Sequence, residues 1–191
     1  YTIGEGVEEH GRWPMQLAQC LRDAGIAIAD PRIIATTGWT TDELAAAMDA
    51  AEPLGEGFGV SLLIGVNNQY RGRDVDDYLG EFTRLLQRAI ALANARANRV
   101  LVLSIPDWGV TPFARNEGRD LQQIADELDA CNAAAREVCT AHGVAFVDIT
   151  GISRDGGDRP AMLVEDGLHP SSLMYARWAA EALPVAMGLL A

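Results

Sequence analysis

The sequence lacks the marks of several protein classes. Its 191 residues hold only three cysteines, Cys20, Cys131 and Cys139, with no Cys-x-x-Cys pair and no Cys/His cluster. That leaves no ligand set at zinc-site spacing, so neither a metal nor an organic cofactor is expected. Cys131 and Cys139 stand on one expected helix, about 12 Å apart along its axis, too far to bridge. Reduced core thiols are expected, and with them a cytoplasmic protein. Basic residues are scarce, 15 Lys and Arg against 27 Asp and Glu, for a net charge of −12. Nucleic acids and anionic membrane surfaces both reward clustered positive charge, so neither is an expected partner. No apolar run approaches the roughly 20 residues of a membrane span. No low-complexity tract or linker divides the chain, and 49% hydrophobic residues suit one globular domain over residues 1–191.

Two binding motifs are also missing. Gly4-Glu5-Gly6-Val7-Glu8-Glu9 sets Glu where a dinucleotide fingerprint needs its third Gly, beside charges that repel phosphate. A receiver-type signalling domain would want Asp after its third strand, where Asn67 and Asn68 stand. Glu5, Glu8, Glu9 and His10 read as a solvated loop or first helical turn rather than a metal site. His142 reads as a helix-end residue favoured by the dipole.

What is present alternates helix and strand. Trp13 to Ala24 carries apolar residues at helical spacing, with Pro14 suited to a first turn. Arg32-Ile33-Ile34-Ala35-Thr36 predicts a short buried strand. Thr40 and Glu43 form a capping-box signature for a helix to about Ala51. Val60 to Gly65 has strand length, and a helix from Asp74 to about Asn98 follows, its apolar face marked by Tyr78, Phe82, Leu85 and Leu86. Arg99 to Ile105 predicts a strand, Arg119 to Ala141 a helix capped by His142-Gly143, and Val144 to Ile149 the last strand. Ser171 or Ser172 would cap the final helix, which Pro184 should kink or break. Strands alternating with long helices predict an α/β fold, a doubly wound parallel sheet in three α/β/α layers. Four strands are visible, and a fifth is expected ahead of Tyr1.

Ligands in such sheets gather where strands lead into helices. Thr37-Gly38-Trp39, Gly65-Val66-Asn67-Asn68, Ser104-Ile105-Pro106-Asp107-Trp108 and Asp166-Gly167-Leu168-His169-Pro170 all fall there. Asp166, three residues before His169, can hold the imidazole by Nδ1 and leave Nε2 to take a proton from a nucleophile. The Gly38 N–H and the Asn67 amide resemble two arms of an oxyanion hole. Trp39 and Trp108 are candidate walls of an acyl pocket. No Ser or Cys lies in a nucleophile elbow: Ser61 is within a strand, and Ser104 lacks the Gly-x-Ser-x-Gly setting.

In these residues the chain resembles the SGNH (GDSL-type) esterases and lipases. Tyr1-Thr2-Ile3-Gly4-Glu5-Gly6 looks like the continuation of that family's first block, directly after its serine. Gly38 matches the second block, Asn67 the third, and Asp166 to Pro170 the fifth; Asn68 departs from the Asp usual after the block-three Asn. The resemblance implies a flavodoxin-like SGNH hydrolase fold and a serine hydrolase of small-molecule carboxylic esters. Its catalytic pair would be Asp166 and His169, its oxyanion hole Gly38 and Asn67, and its nucleophilic Ser would stand immediately before Tyr1. The alternative is a catalytically inactive esterase-like module binding an acylated or glycosylated ligand; Ala or Gly before Tyr1 would mark it.

Overall fold

A computed structural model describes residues 1–55, 57 and 59–190. Its sheet has three parallel strands in the order β1 (Val60–Leu62), β2 (Val100–Leu103), β3 (Ala145–Val147). In register, Ser61 pairs with Leu101, and Val102 with Phe146. β2 lies in the middle, and all four of its residues are buried. Val100 and Val102 enter one core, Leu101 and Leu103 the other, because successive side chains point to opposite faces. An unbroken apolar run is the pattern a parallel strand covered on both faces requires.

Helices supply both covers. On one face pack α2 (Thr41–Ala50), α4 (Val75–Leu92) and α6 (Leu121–His142), through Leu44, Phe82, Leu86, Ile124 and Leu128. On the other pack α1 (Trp13–Asp23) and α8 (Ser172–Leu190), through Trp13, Leu17, Met174 and Trp178. Three short helices, α3 (Val66–Tyr70), α5 (Pro112–Asn116) and α7 (Thr150–Gly156), ride on the loops that follow β1, β2 and β3. The three-layer α/β/α arrangement is the one expected.

Helix ends follow local chemistry. Glu43 reaches back to accept from the Thr40 N–H at 2.8 Å, half of the capping box read from the sequence. Asp74 accepts from Asp76 N at the start of α4, and Asp120 from Gln122 N and Gln123 N at the start of α6. α4 stops at Leu92, short of the expected Asn98, as the backbone turns left-handed at Asn94 and Ala95. α8 runs through Pro184 without a break, one of the two outcomes expected there. The apolar side chains before and after that proline, from Met174 to Ala186, bury into one core and hold the helix together.

The expected strand at Arg32 to Thr36 does not form. A strand exists only as a partner in a ladder, and among the described residues this stretch makes no backbone ladder bond. It lines a cleft of about 550 Å³ instead, as does β1, an edge strand of the sheet. Apolar residues of α1 and α8, among them Leu17, Leu21 and Ala186, line it as well. Among the described residues three strands therefore stand where four were visible in the sequence.

Candidate active site

The loop after α7 builds a tight turn around Asp166. Val164 N donates to His169 O at 2.9 Å, Gly167 N to Val164 O at 3.1 Å, and Leu163 bridges Pro170. Within it one Asp166 oxygen accepts from Leu168 N at 2.8 Å and His169 N at 2.9 Å. The other oxygen meets His169 Nδ1 at 2.6 Å, so the ring and the carboxylate are locked by three hydrogen bonds. Partial burial disfavours the ionised carboxyl, but the bonds from the His169 ring and the two N–H groups outweigh it. They hold Asp166 below its ordinary pKa. With Nδ1 occupied, Nε2 is the nitrogen left for proton transfer.

Tyr1 stands beside this pair. Its ring meets the His169 ring edge-on, centroids 6.1 Å apart, and the Trp178 ring at 5.8 Å. Tyr175 Oη donates to the Tyr1 carbonyl at 2.8 Å, which ties residue 1 to α8. Burial, with Asp107 and Asp166 adding to it, pushes the Tyr1 phenol well above its ordinary pKa. Thr37 Oγ1 donates to Glu5, so the first loop also reaches the Gly38 turn.

Gly65 sets the second half of the site. At its φ of 126° a Cβ would lie 2.6 Å from the Tyr78 ring and 2.8 Å from Ile105. Only glycine lets the chain pass there and start α3, which carries Asn67 and Asn68. Asn67 Nδ2 donates to the Trp39 carbonyl at 2.9 Å, bringing its amide against the Gly38 turn. Among the described residues no acceptor takes the second hydrogen of that amide. Gly38 has φ +89°, a conformation side-chain-bearing residues avoid, and the space where a Cβ would sit is open. Among the described residues no acceptor takes the Gly38 N–H.

The residues read from the sequence thus fall into two groups. Asp166 and His169 are joined directly, and Gly38, Trp39 and Asn67 are joined through the 38–39 turn. Tyr1, whose ring lies against His169, lines the same cleft as Trp39 and Asn67. Trp108 is elsewhere. It is buried, with its indole N–H donating to Gln69 Oε1 at 2.8 Å and its ring packed against Tyr70 and Phe113. It offers no wall to an acyl group because its surface is spent inside the core. Ser104 is buried too. Its hydroxyl oxygen accepts from Ile149 N and Thr150 N, which makes it a tie between β2 and the loop after β3. Ser171 Oγ accepts from Met174 N at 3.4 Å, the cap it was read as. His142 Nδ1 lies 2.9 Å from the Val138 carbonyl at the end of α6. Among the described residues no cluster of three or more His, Cys, Asp or Glu is placed to hold a metal. Arg71 went unremarked in the sequence, since it sits in no motif and meets Gly38 and Glu43 only across the fold.

A parallel sheet covered on both faces, with a carboxylate-held imidazole in a loop beyond its last strand, defines a three-layer α/β/α protein with an Asp–His pair past the sheet. The chain belongs to the GDSL-like lipase/acylhydrolase family, whose model matches residues 1–177. It is therefore a GDSL-type esterase, and its chemistry is ester hydrolysis. Solved structures agree on the fold. TesA superposes with a TM-score of 0.71 at 21% identity, covering 99% of this chain and 94% of that one. A lipase/acylhydrolase from Enterococcus faecalis gives 0.68 at 19%, over 92% and 85%. The acetyl xylan esterase AlAXEase gives 0.69 at 14%, over 92% and 91%. No curated protein sequence matches the chain.

Proposed function

We propose that this esterase works through an acyl-serine, with Asp166 and His169 as its acid–base pair and Gly38 and Asn67 as oxyanion donors. The observation that carries this reading is the 2.6 Å contact between Asp166 Oδ2 and His169 Nδ1. It fixes the tautomer in which Nε2 accepts a proton. The nucleophile is a serine directly ahead of Tyr1, a position supported by the Tyr1 ring lying against the His169 ring. Its Oγ attacks the acyl carbon as Nε2 takes the hydroxyl proton. Negative charge then develops on the former carbonyl oxygen, facing the Gly38 N–H and the Asn67 amide. The bond to the alcohol oxygen breaks as His169 returns the proton to it. Water repeats the sequence and releases the acid. The substrate is a small-molecule carboxylic ester, with Trp39 beside the reacting group. Three free thiols suit a reducing compartment, the cytoplasm, and among the described residues no helix is long and apolar enough to cross a membrane.

A fluorophosphonate probe tests the assignment. The full-length protein should be labelled at the residue directly ahead of Tyr1, and His169→Ala should abolish labelling while leaving the fold intact by circular dichroism. Labelling at another serine, or undiminished labelling of the variant, would reject it.

A further inference from the structure

The turn that presents the Gly38 N–H is pinned residue by residue. Thr37 Oγ1 donates to Glu5, and the Trp39 carbonyl accepts from Asn67 Nδ2 at 2.9 Å. Thr40 N donates to Glu43 Oε2 at 2.8 Å, and Thr41 N to Asn68 Oδ1 at 3.1 Å. The Gly38 carbonyl is held by Arg71, whose Nη2 donates to it at 2.7 Å while Nη1 reaches Glu43 Oε1 at 3.3 Å. Arg71 is the residue directly after α3, so the short helix carrying Asn67 also carries this clamp.

Gly38 needs such a clamp more than its neighbours do. Glycine lacks the Cβ that confines other residues, and nothing lies within 4 Å of where one would be. The direction of its N–H is therefore set by what grips the two flanking peptide units. The Thr37 side chain ties the residue before it to Glu5, and Arg71 grips the peptide unit after it through a charge-assisted bond, stronger than a neutral one.

We infer that Arg71 is a positioning residue for ester hydrolysis, holding the Gly38 carbonyl and with it the backbone conformation of Gly38 that aims the N–H on the other side of its Cα at the oxyanion. This rests on the oxyanion reading of Gly38 and Asn67. The guanidinium touches no reacting atom. Its pairing with Glu43 is between side chains 43% and 39% exposed, a setting in which ion pairs add little to stability. Its effect thus belongs to the transition state, where the oxyanion exists, rather than to substrate binding or the folded state.

Steady-state kinetics of the full-length enzyme on a p-nitrophenyl ester separate these roles. Arg71→Met should lower kcat about tenfold, the scale of a misaimed rather than deleted donor, with KM within twofold and little change in Tm. Arg71→Lys, which keeps the charge and one donor, should recover part of the loss and settle two- to fivefold below the parent enzyme. An unchanged kcat in Arg71→Met, a loss confined to KM, or no rescue by lysine would overturn the assignment. Should Arg71→Met fail to fold, Arg71→Lys decides alone: parental kcat overturns the proposal, and reduced kcat at unchanged KM upholds it. Asn67→Ala, made in parallel, should lose about 10²–10³ in kcat. If it keeps its rate, the oxyanion reading falls and the Arg71 role with it. If it loses rate while Arg71→Met does not, only the Arg71 role falls.

Discussion

Asp166 has two tasks at once, and pH separates them. Its carboxylate orients His169 and also closes the 166–169 turn through two backbone N–H groups. Those bonds favour the ionised form and hold its pKa below the ordinary carboxylate value. A carboxyl whose pKa is depressed on folding adds stability above its unfolded pKa, and loses it as pH falls through the folded one. The contribution of Asp166 is therefore present at neutral pH and disappears below about pH 4. Asp166→Asn removes the titration. Measured as Tm between pH 6 and pH 3, the parent protein should lose more stability than the variant over that interval. Parallel curves would show that the carboxylate is not stabilised by folding.

At the scale of elements, α3 does more than its five residues suggest. Asn68 is buried, and its amide both accepts from Thr41 N at 3.1 Å and donates to Thr41 Oγ1 at 2.6 Å. That two-sided contact joins α3 to the start of α2, and hence Asn67 to the Gly38 turn. A carboxylate in its place could accept but not donate, which gives a physical reason for an amide at this position. Asn68→Ala would leave the buried Thr41 N–H without its partner, a loss of about 2–3 kcal/mol by urea unfolding. A loss under about 0.5 kcal/mol would mean that water or a shift of α2 replaces the bond.

For the whole molecule, the two cores on either side of β2 govern its thiols. Cys131 and Cys139 lie in the core formed with α2, α4 and α6. Burial pushes their pKa values up to about 11 and about 12, with the Glu127 charge adding to the first. Only thiolate reacts, so both should resist a disulfide reagent at pH 8 while the chain is folded. Half-buried Cys20 should react first. Titration with Ellman's reagent should count one fast thiol in native protein and three in guanidinium. Rapid reaction of all three in native protein would show that this core opens readily.

Features that depend on near neighbours along the chain were legible from its residues alone. Asp-x-x-His closes on itself within one turn, α2 announces its capping box, α4 its buried face and α6 its glycine cap, and the all-apolar β2 declares a strand covered twice. Gly38 and Asn67 could be singled out because each follows a strand or strand-like run. Tertiary structure decided what depends on distant partners. Arg32 to Thr36 has the residues of a strand but no ladder to join, since hydrogen-bonded pairing is a property of two segments. Trp108 has the position of a pocket wall, yet gains more by burying its ring and satisfying its N–H on Gln69. Arg71 meets the Gly38 carbonyl only because α3 folds back on the turn before α2, a contact that no local pattern encodes.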